Sequence, residues 1–188
     1  GKVTLCGEER YGTGSNHVRE KDGLWAVLFW LNLVATTGQT VEQLVRALWK
    51  EHGRCVYSRH DYEAIPTDKA DALMRDLRAS LPTLGGTTVA GLPIAFADDF
   101  AYTDPVDGSM SQKQGVRVVL TDGSRVVFRL SGTGTEGATL RVYLERHEPN
   151  PARQDLPAQE ALQPLVALAE AVAKVRAFTG MDRPTVMT

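Results

Sequence analysis

The stretch RLSGTGTEGATLR, Arg129 to Arg141, separates the fold classes open to this chain. Gly132, Gly134 and Gly137 satisfy G-x-G-x-x-G, the spacing of a dinucleotide-binding turn. That turn needs a strand before it and a helix after it. The strand is there: Arg125 to Leu130, RVVFRL. The segment after the glycines is not helical. Leu140, Val142 and Leu144 alternate with Arg141, Tyr143 and Glu145, a period of two. The loop therefore joins two strands, and the dinucleotide reading fails. A protein-kinase glycine loop also joins two strands, but the chain has no H-R-D or D-F-G downstream. Moving outward, Asp122-Gly123 signals a hairpin between Val116–Leu120 and Arg125–Leu130. Further strands are predicted at Arg54–Tyr62, Thr88–Ala90, Ile94–Tyr102 and Thr139–Arg146. Helices are predicted from Thr67 to about Ser80, stopped by Pro82, and from Gln159 to Phe178. Strand, helix, several antiparallel strands and helix make an α+β layer: one antiparallel sheet with helices on one face.

The same stretch has a chemical reading. Bare glycines let backbone N–H groups approach a ligand. Ser131, Thr133 and Thr135 add hydroxyl donors, and the forks of Arg129 and Arg141 suit phosphate oxygens. The run reads as a phosphate cradle; the alternative is a flexible hairpin tip, because Gly, Ser and Thr also dominate turns for local reasons.

Before residue 54 the pattern differs. Val3 to Cys6 is a short strand with no obvious partner, and Gly7 to Gly14 a glycine-rich loop. A strongly apolar helix runs from Asp22 or Gly23 to about Thr36, closed by Gly38. Thr40 caps a second helix, Val41 to His52. Trp25, Trp30 and Trp49 take core positions on these helices. The opening, with no Met and the look of a strand already under way, resembles part of a longer chain.

The 188 residues are 43% hydrophobic and carry a net charge of −2, enough apolar material for a core. That balance carries no electrostatic signature of a nucleic-acid or anionic-membrane partner. The apolar run Leu24–Ala35 is shorter than a membrane helix requires. Cys6 and Cys55 have no metal-ligand spacing and read as free thiols in a reducing compartment, with a structural disulfide as the alternative.

A second candidate site is GEERYGTGSNHVREKDG, Gly7 to Gly23. Glu8 and Glu9 suit vicinal hydroxyls of a sugar; Lys21 suits a phosphate contact or proton transfer. The bland alternative is a charged helix entry, with Glu20 and Asp22 complementing the helix dipole. His17 reads as a structural hydrogen-bonding residue. Arg59 reads from pattern alone as an exposed strand arginine, and Asp98-Asp99 and Asp104–Asp107 as turn residues.

GEERYGTGSNHVREKDGLWAVL resembles the sugar-binding loop and following helix of α-phosphoglucomutases, in the α-D-phosphohexomutase superfamily. TDPVDGS, TDGSRVVFRLSGTGTEGATLR and the terminal PTVMT look like the last domain of that family. The resemblance implies that residues 1–40 close an α/β third domain and that 41–53 form a connecting helix. It implies that 54–188 form the fourth domain, an antiparallel, TATA-box-binding-protein-like sheet packed by helices. It implies a cytoplasmic enzyme that interconverts glucose 1-phosphate and glucose 6-phosphate through a phosphoserine and glucose 1,6-bisphosphate, with Mg²⁺ in an acidic D-x-D-x-D loop. By motif position, Glu8 holds sugar hydroxyls and Lys21 is the active-site lysine. Arg59, Arg129, Ser131, Gly132, Thr133 and Arg141 hold the phosphate not being transferred. Arg10 stands where the family has serine, which bears on the sugar. It also motivates a second reading, a non-catalytic binding or scaffolding relative. Neither the T-A-S-H-N-P phosphoserine motif nor the D-x-D-x-D loop occurs in these residues. The chain alone is therefore predicted inactive, needing the rest of the enzyme.

Overall fold

The computed structural model describes residues 4–7, 12–18, 20–134 and 137–188, with the backbone only at 133 and 134. The chain forms two compact units, Gly1–His52 and Gly53–Thr188.

In the first unit, β1 (Leu5–Gly7) pairs antiparallel with β2 (Thr13–Ser15). This corrects the expectation of an orphan strand. Leu5 faces Ser15 and Cys6 faces Gly14, so Thr13–Ser15 supplies the missing backbone partners. Helix α1 (Gly23–Thr37) starts at Asp22, whose carboxylate accepts the Trp25 N–H at 3.0 Å. It ends at Gly38, left-handed at φ 68°, whose N–H returns to the Val34 carbonyl. Helix α2 (Val41–His52) opens on a reciprocal capping box. The Thr40 hydroxyl accepts the Gln43 N–H, and the Gln43 side chain accepts the Thr40 N–H at 2.8 Å. No residue of α1 or α2 is buried. Trp25, Trp30 and Trp49 are thus not core residues here; Trp25 stacks on His17 and Phe29 instead.

The second unit begins with β3 (Arg54–Ile65), α3 (Thr67–Leu84), β4 (Thr88–Val89) and β5 (Leu92–Asp99). A small hairpin, β6 (Tyr102–Thr103) and β7 (Met110–Ser111), leads into β8 (Val116–Leu120), β9 (Arg125–Gly134) and β10 (Gly137–Glu148). The chain closes with α4 (Ala158–Ala161), α5 (Gln163–Ala173), α6 (Val175–Thr179) and β11 (Val186–Met187). Seven strands make one sheet in the order β11-β3-β10-β9-β8-β5-β4, with every neighbouring pair antiparallel. This is the α+β layer the periodicity implied.

Alternation decides which face is covered. Val116, Val118 and Leu120 on β8, Val126 and Phe128 on β9, and Leu140, Val142 and Leu144 on β10 are all buried. They form one core with Leu73 and Leu77 of α3 and Leu165 and Leu168 of α5. The opposite face carries Arg117, Arg129, Arg141 and Tyr143, so it is the face that meets solvent or ligand.

Four boundaries differ from expectation. Pro82 does not stop α3, because burial of Leu84 holds the last turn in place. The final helix is three pieces: Pro164 interrupts the hydrogen-bond ladder after Leu162, and Lys174 adopts a left-handed conformation at φ 52°. The tail after Thr179 contains an edge strand, with Val186 opposite Asp61 and Met187 opposite His60. Asp98 and Asp99 lie within β5, not in a turn, and ion-pair with Arg117 and Arg78. Asp104 and Asp107 do organise turns, accepting the N–H groups of Val106 and Ser109.

Candidate functional site

Strand register brings three arginines together. Arg129 on β9 lies directly opposite Arg141 on β10, and Arg141 lies opposite Asp61 on β3. Arg59 stands two residues before Asp61 and so projects to the same side of the sheet. Ser131, two residues beyond Arg129, pairs with Thr139 on that side too. The predicted residues Arg59, Arg129, Ser131 and Arg141 therefore share one face across three adjacent strands. Gly132 is next on β9, at φ 69°. Thr133 lies on β9, but its side chain is outside the described residues, as are Thr135 and Glu136.

Like charges directly opposite each other on neighbouring strands are destabilising. The Arg129–Arg141 pair is such an arrangement, and only part of it is compensated. Asp61, with a side chain 6% exposed, accepts a hydrogen bond from Arg59 Nε at 2.8 Å. The same carboxylate stands 4.0 Å from Arg141 Nε, which is buried without a hydrogen-bond partner among the described residues. No ion pair to Arg129 occurs among the described residues. One carboxylate thus serves two guanidiniums while a third goes unmatched, a surplus of positive charge suited to an anion.

Asp61 was not singled out from the sequence. Its signal was the spacing R-x-D in Arg59-His60-Asp61, which on a strand places the ion pair on one face. Arg59 is likewise not the exposed strand arginine its pattern suggested: its side chain is 16% exposed and held by Asp61. Its backbone pairs with Thr188 in both directions, so the terminal strand pins this edge of the site.

Two glycines set the geometry. Gly137, at φ 92°, approaches β3 so closely that a Cβ would lie 2.8 Å from the Ile65 carbonyl oxygen. A side chain at position 137 would therefore collide with the end of β3. At Gly115 a Cβ would stand 2.9 Å from Arg129 Cγ, so a bare backbone is what allows Arg129 to pass.

The other candidate residues belong to the first unit. Glu8, Glu9 and Arg10 lie outside the described residues. Lys21 is exposed, with Nζ 3.3 Å from Glu20 Oε1, and its N–H donates to the same carboxylate. Those contacts hold the Glu20 carboxyl below its ordinary range, the backbone hydrogen bond contributing most. One residue on, Asp22 caps α1 and bonds His17 at 2.9 Å, and the His17 contact lowers its pKa most. Lys21 therefore sits at the entry to α1, and His17 has the structural role expected of it.

The family described as "Phosphoglucomutase-1, C-terminal domain" matches residues 54–185, and "Phosphoglucomutase/phosphomannomutase, alpha/beta/alpha domain III" matches residues 1–52. The chain belongs to the phosphoglucomutase family. It is 56% identical over all 188 residues to the phosphoglucomutase of Rhizobium radiobacter, covering 35% of that protein. Against the chloroplastic phosphoglucomutase of Arabidopsis thaliana it is 48% identical over its whole length and covers 32%. Among solved structures, the open form of pp63/parafusin (phosphoglucomutase) from Paramecium superimposes with a TM-score of 0.89 at 42% identity. That match covers 98% of this chain and 32% of parafusin. The chain thus spans about a third of the length of the phosphoglucomutases it matches.

Proposed function

We propose that this chain is the C-terminal, substrate-holding part of a cytoplasmic phosphoglucomutase. In the intact enzyme it would help interconvert glucose 1-phosphate and glucose 6-phosphate through a phosphoserine and glucose 1,6-bisphosphate. On this reading residues 1–40 close the third domain and 41–53 connect it to a TATA-box-binding-protein-like fourth domain, 54–188. Glu8, Arg10 and Lys21 serve the sugar, with Lys21 also placed for a phosphate contact or proton transfer. Arg59, Arg129, Ser131, Gly132, Thr133 and Arg141 serve the phosphate that stays in place.

The observation that carries the reading is the surplus of guanidinium charge around Asp61, with a buried Arg141 Nε that has no hydrogen-bond partner among the described residues. A dianionic phosphate over Arg129 and Arg141 would relieve their repulsion and satisfy that nitrogen. Gripping the group that does not react is useful chemistry. Binding energy from a remote group can be used to orient the reacting one, and in-line phosphoryl transfer depends on orientation.

No group of three or more His, Cys, Asp or Glu suited to a metal occurs among the described residues. They do not fit a Mg²⁺ site; we assign its ligands and the phosphoserine to the rest of the enzyme. The purified chain is accordingly expected to show no mutase turnover.

The test is an NMR titration of this chain with glucose 1-phosphate beside Arg129→Ala. Shifts at Arg59 and in residues 129–141 that vanish in the variant support the cradle. A folded wild-type sample without shifts at saturating ligand refutes autonomous binding by this unit. The second reading, a non-catalytic relative, rests on Arg10. Normal turnover by the intact protein with Arg10 in place eliminates it; a sharp gain on Arg10→Ser supports it.

A further inference from the structure

A cleft of about 330 Å³ opens beside the cradle, where β9 runs past the start of β8. Its walls are α3, the segment Lys113–Gly115 and the β9 edge at Phe128–Leu130. The charges on those walls are unbalanced. Arg75 and Arg78 come from α3, Lys113 from the loop and Arg129 from β9, against Asp71 as the single carboxylate. Arg78 is committed to Asp99, with Nε 2.8 Å from Oδ2, which fixes its guanidinium in place. Arg75, Lys113 and Arg129 have no ion pair among the described residues. Lys113 is held at φ 54°, a left-handed conformation uncommon for a residue with a side chain.

A stretch of helix surface carrying two arginines is ordinary. Two arginines on a helix, a lysine on a conformationally restricted loop and an arginine on a strand edge, converging on one concavity, are not. Cations gathered without matching carboxylates repel one another unless an anion is shared. Open clefts lined by one sign of charge also concentrate counter-ions. The volume lies at the small end of ligand sites, too small for a polymer and sufficient for a compact metabolite.

We propose that this cleft is a second anion site, taking a small, multiply charged carboxylate or phosphate compound, distinct from the cradle that holds the substrate phosphate. The two sites meet at Arg129. Its Cγ passes over Gly115 on the cleft side, while its strand position places it opposite Arg141 in the cradle. An occupant of the cleft would draw on the same guanidinium that the substrate phosphate uses, so the two anions compete for Arg129. The inference depends on the cradle reading only for that competition; the cleft itself stands on Arg75, Arg78 and Lys113.

The test is calorimetric titration of the chain with citrate at low salt, for wild type, Arg75→Glu/Lys113→Glu and Arg141→Ala. Both cleft positions are exposed, and circular dichroism checks that the double variant stays folded. Citrate should bind wild type and Arg141→Ala alike, and the charge-reversed protein at least about tenfold more weakly, given loss of two cationic contacts. Adding glucose 1-phosphate should weaken citrate binding to wild type. No heat with wild type overturns the proposal, as does equal binding by wild type and the double variant. Loss of citrate in Arg141→Ala alone also overturns it, because citrate would then occupy the cradle. Failure of the cradle reading is read separately, from the glucose 1-phosphate shifts.

Discussion

Helices α1 and α3 place their apolar residues in opposite ways. Gly23–Thr37 is the more apolar of the two, GLWAVLFWLNLVATT, yet it buries nothing; Leu24 is 80% exposed and Leu28 65%. Thr67–Leu84 is polar on most of its surface, yet Ala70, Leu73, Met74, Leu77 and Leu84 are all buried against the sheet. An apolar pattern reports a face that needs covering; it does not report that the cover lies in the same unit. The second unit closes its own core, whereas the first shows well-formed caps around a helix that buries none of its residues.

The largest effect should come from separating the two units. Residues 53–188 alone should unfold in one cooperative thermal transition. Residues 1–52 alone should show none, because isolated helices of about 12–15 residues are marginal in water. A cooperative melt of 1–52 as a monomer would break the comparison. The exposed face of α1 and the short β1–β2 ribbon also make self-association of that piece the expected failure, visible in sedimentation.

Within the intact chain, side-chain truncation sharpens the same contrast. Phe128, wholly buried, should cost about 3–5 kcal/mol on change to alanine, from lost transfer energy plus the cavity. Leu28→Ala, of similar apolar character, should leave the urea midpoint of the second unit unmoved. Asp61→Ala falls between them, at roughly 2–3 kcal/mol. Breaking a buried pair leaves an uncompensated charge, but Arg141 is 33% exposed and is partly rehydrated. The loss should shrink when phosphate is added at millimolar concentration, since an anion would replace the missing carboxylate. A loss independent of phosphate would count against the cradle.

Much of this was legible in sequence, for a physical reason. Period-two alternation from Arg125 through Glu145 fixed both the strand–loop–strand topology and the outward face of Arg129 and Arg141. Thr40 and Gly38 marked helix ends through local capping chemistry. What alternation cannot show is neighbourhood across the sheet. Nothing in the order of residues says that β10 lies between β9 and β3, so Asp61 could not be seen beside Arg141. Nor could the Val186–Met187 edge strand be seen beside β3. The break at Leu162 was signalled by Pro164 and overlooked; the one at Lys174 was hidden, because a lysine gives no local sign of a left-handed turn. The cleft was illegible because its cations come from three distant segments.

The smallest effect is a pH dependence confined to the second unit. His60 is buried on β3, and its Nε2–H donates to Gln159 Oε1 at 2.9 Å. The Gln159 amide donates to the Ser58 hydroxyl, and that hydroxyl to the Thr188 carbonyl, tying the terminal strand to the start of α4. Burial lowers the His60 pKa below its ordinary 6.5, outweighing the opposing pull of Gln159 and Asp61. The unfolded chain then binds the extra proton first. Stability from this group is complete above pH 6.5 and is lost as pH falls through 6.5 toward the lower folded value. The slope cannot exceed about 1.4 kcal/mol per pH unit for one proton. Urea midpoints of wild type and His60→Gln should therefore diverge in their pH response between about pH 7 and 5.5, wild type losing more. Leu28→Ala, in the first unit, should track wild type throughout. If wild type and His60→Gln run parallel, burial is not governing this histidine. If Leu28→Ala also moves the curve, the two units do not unfold independently, and the contrast between α1 and α3 loses its basis.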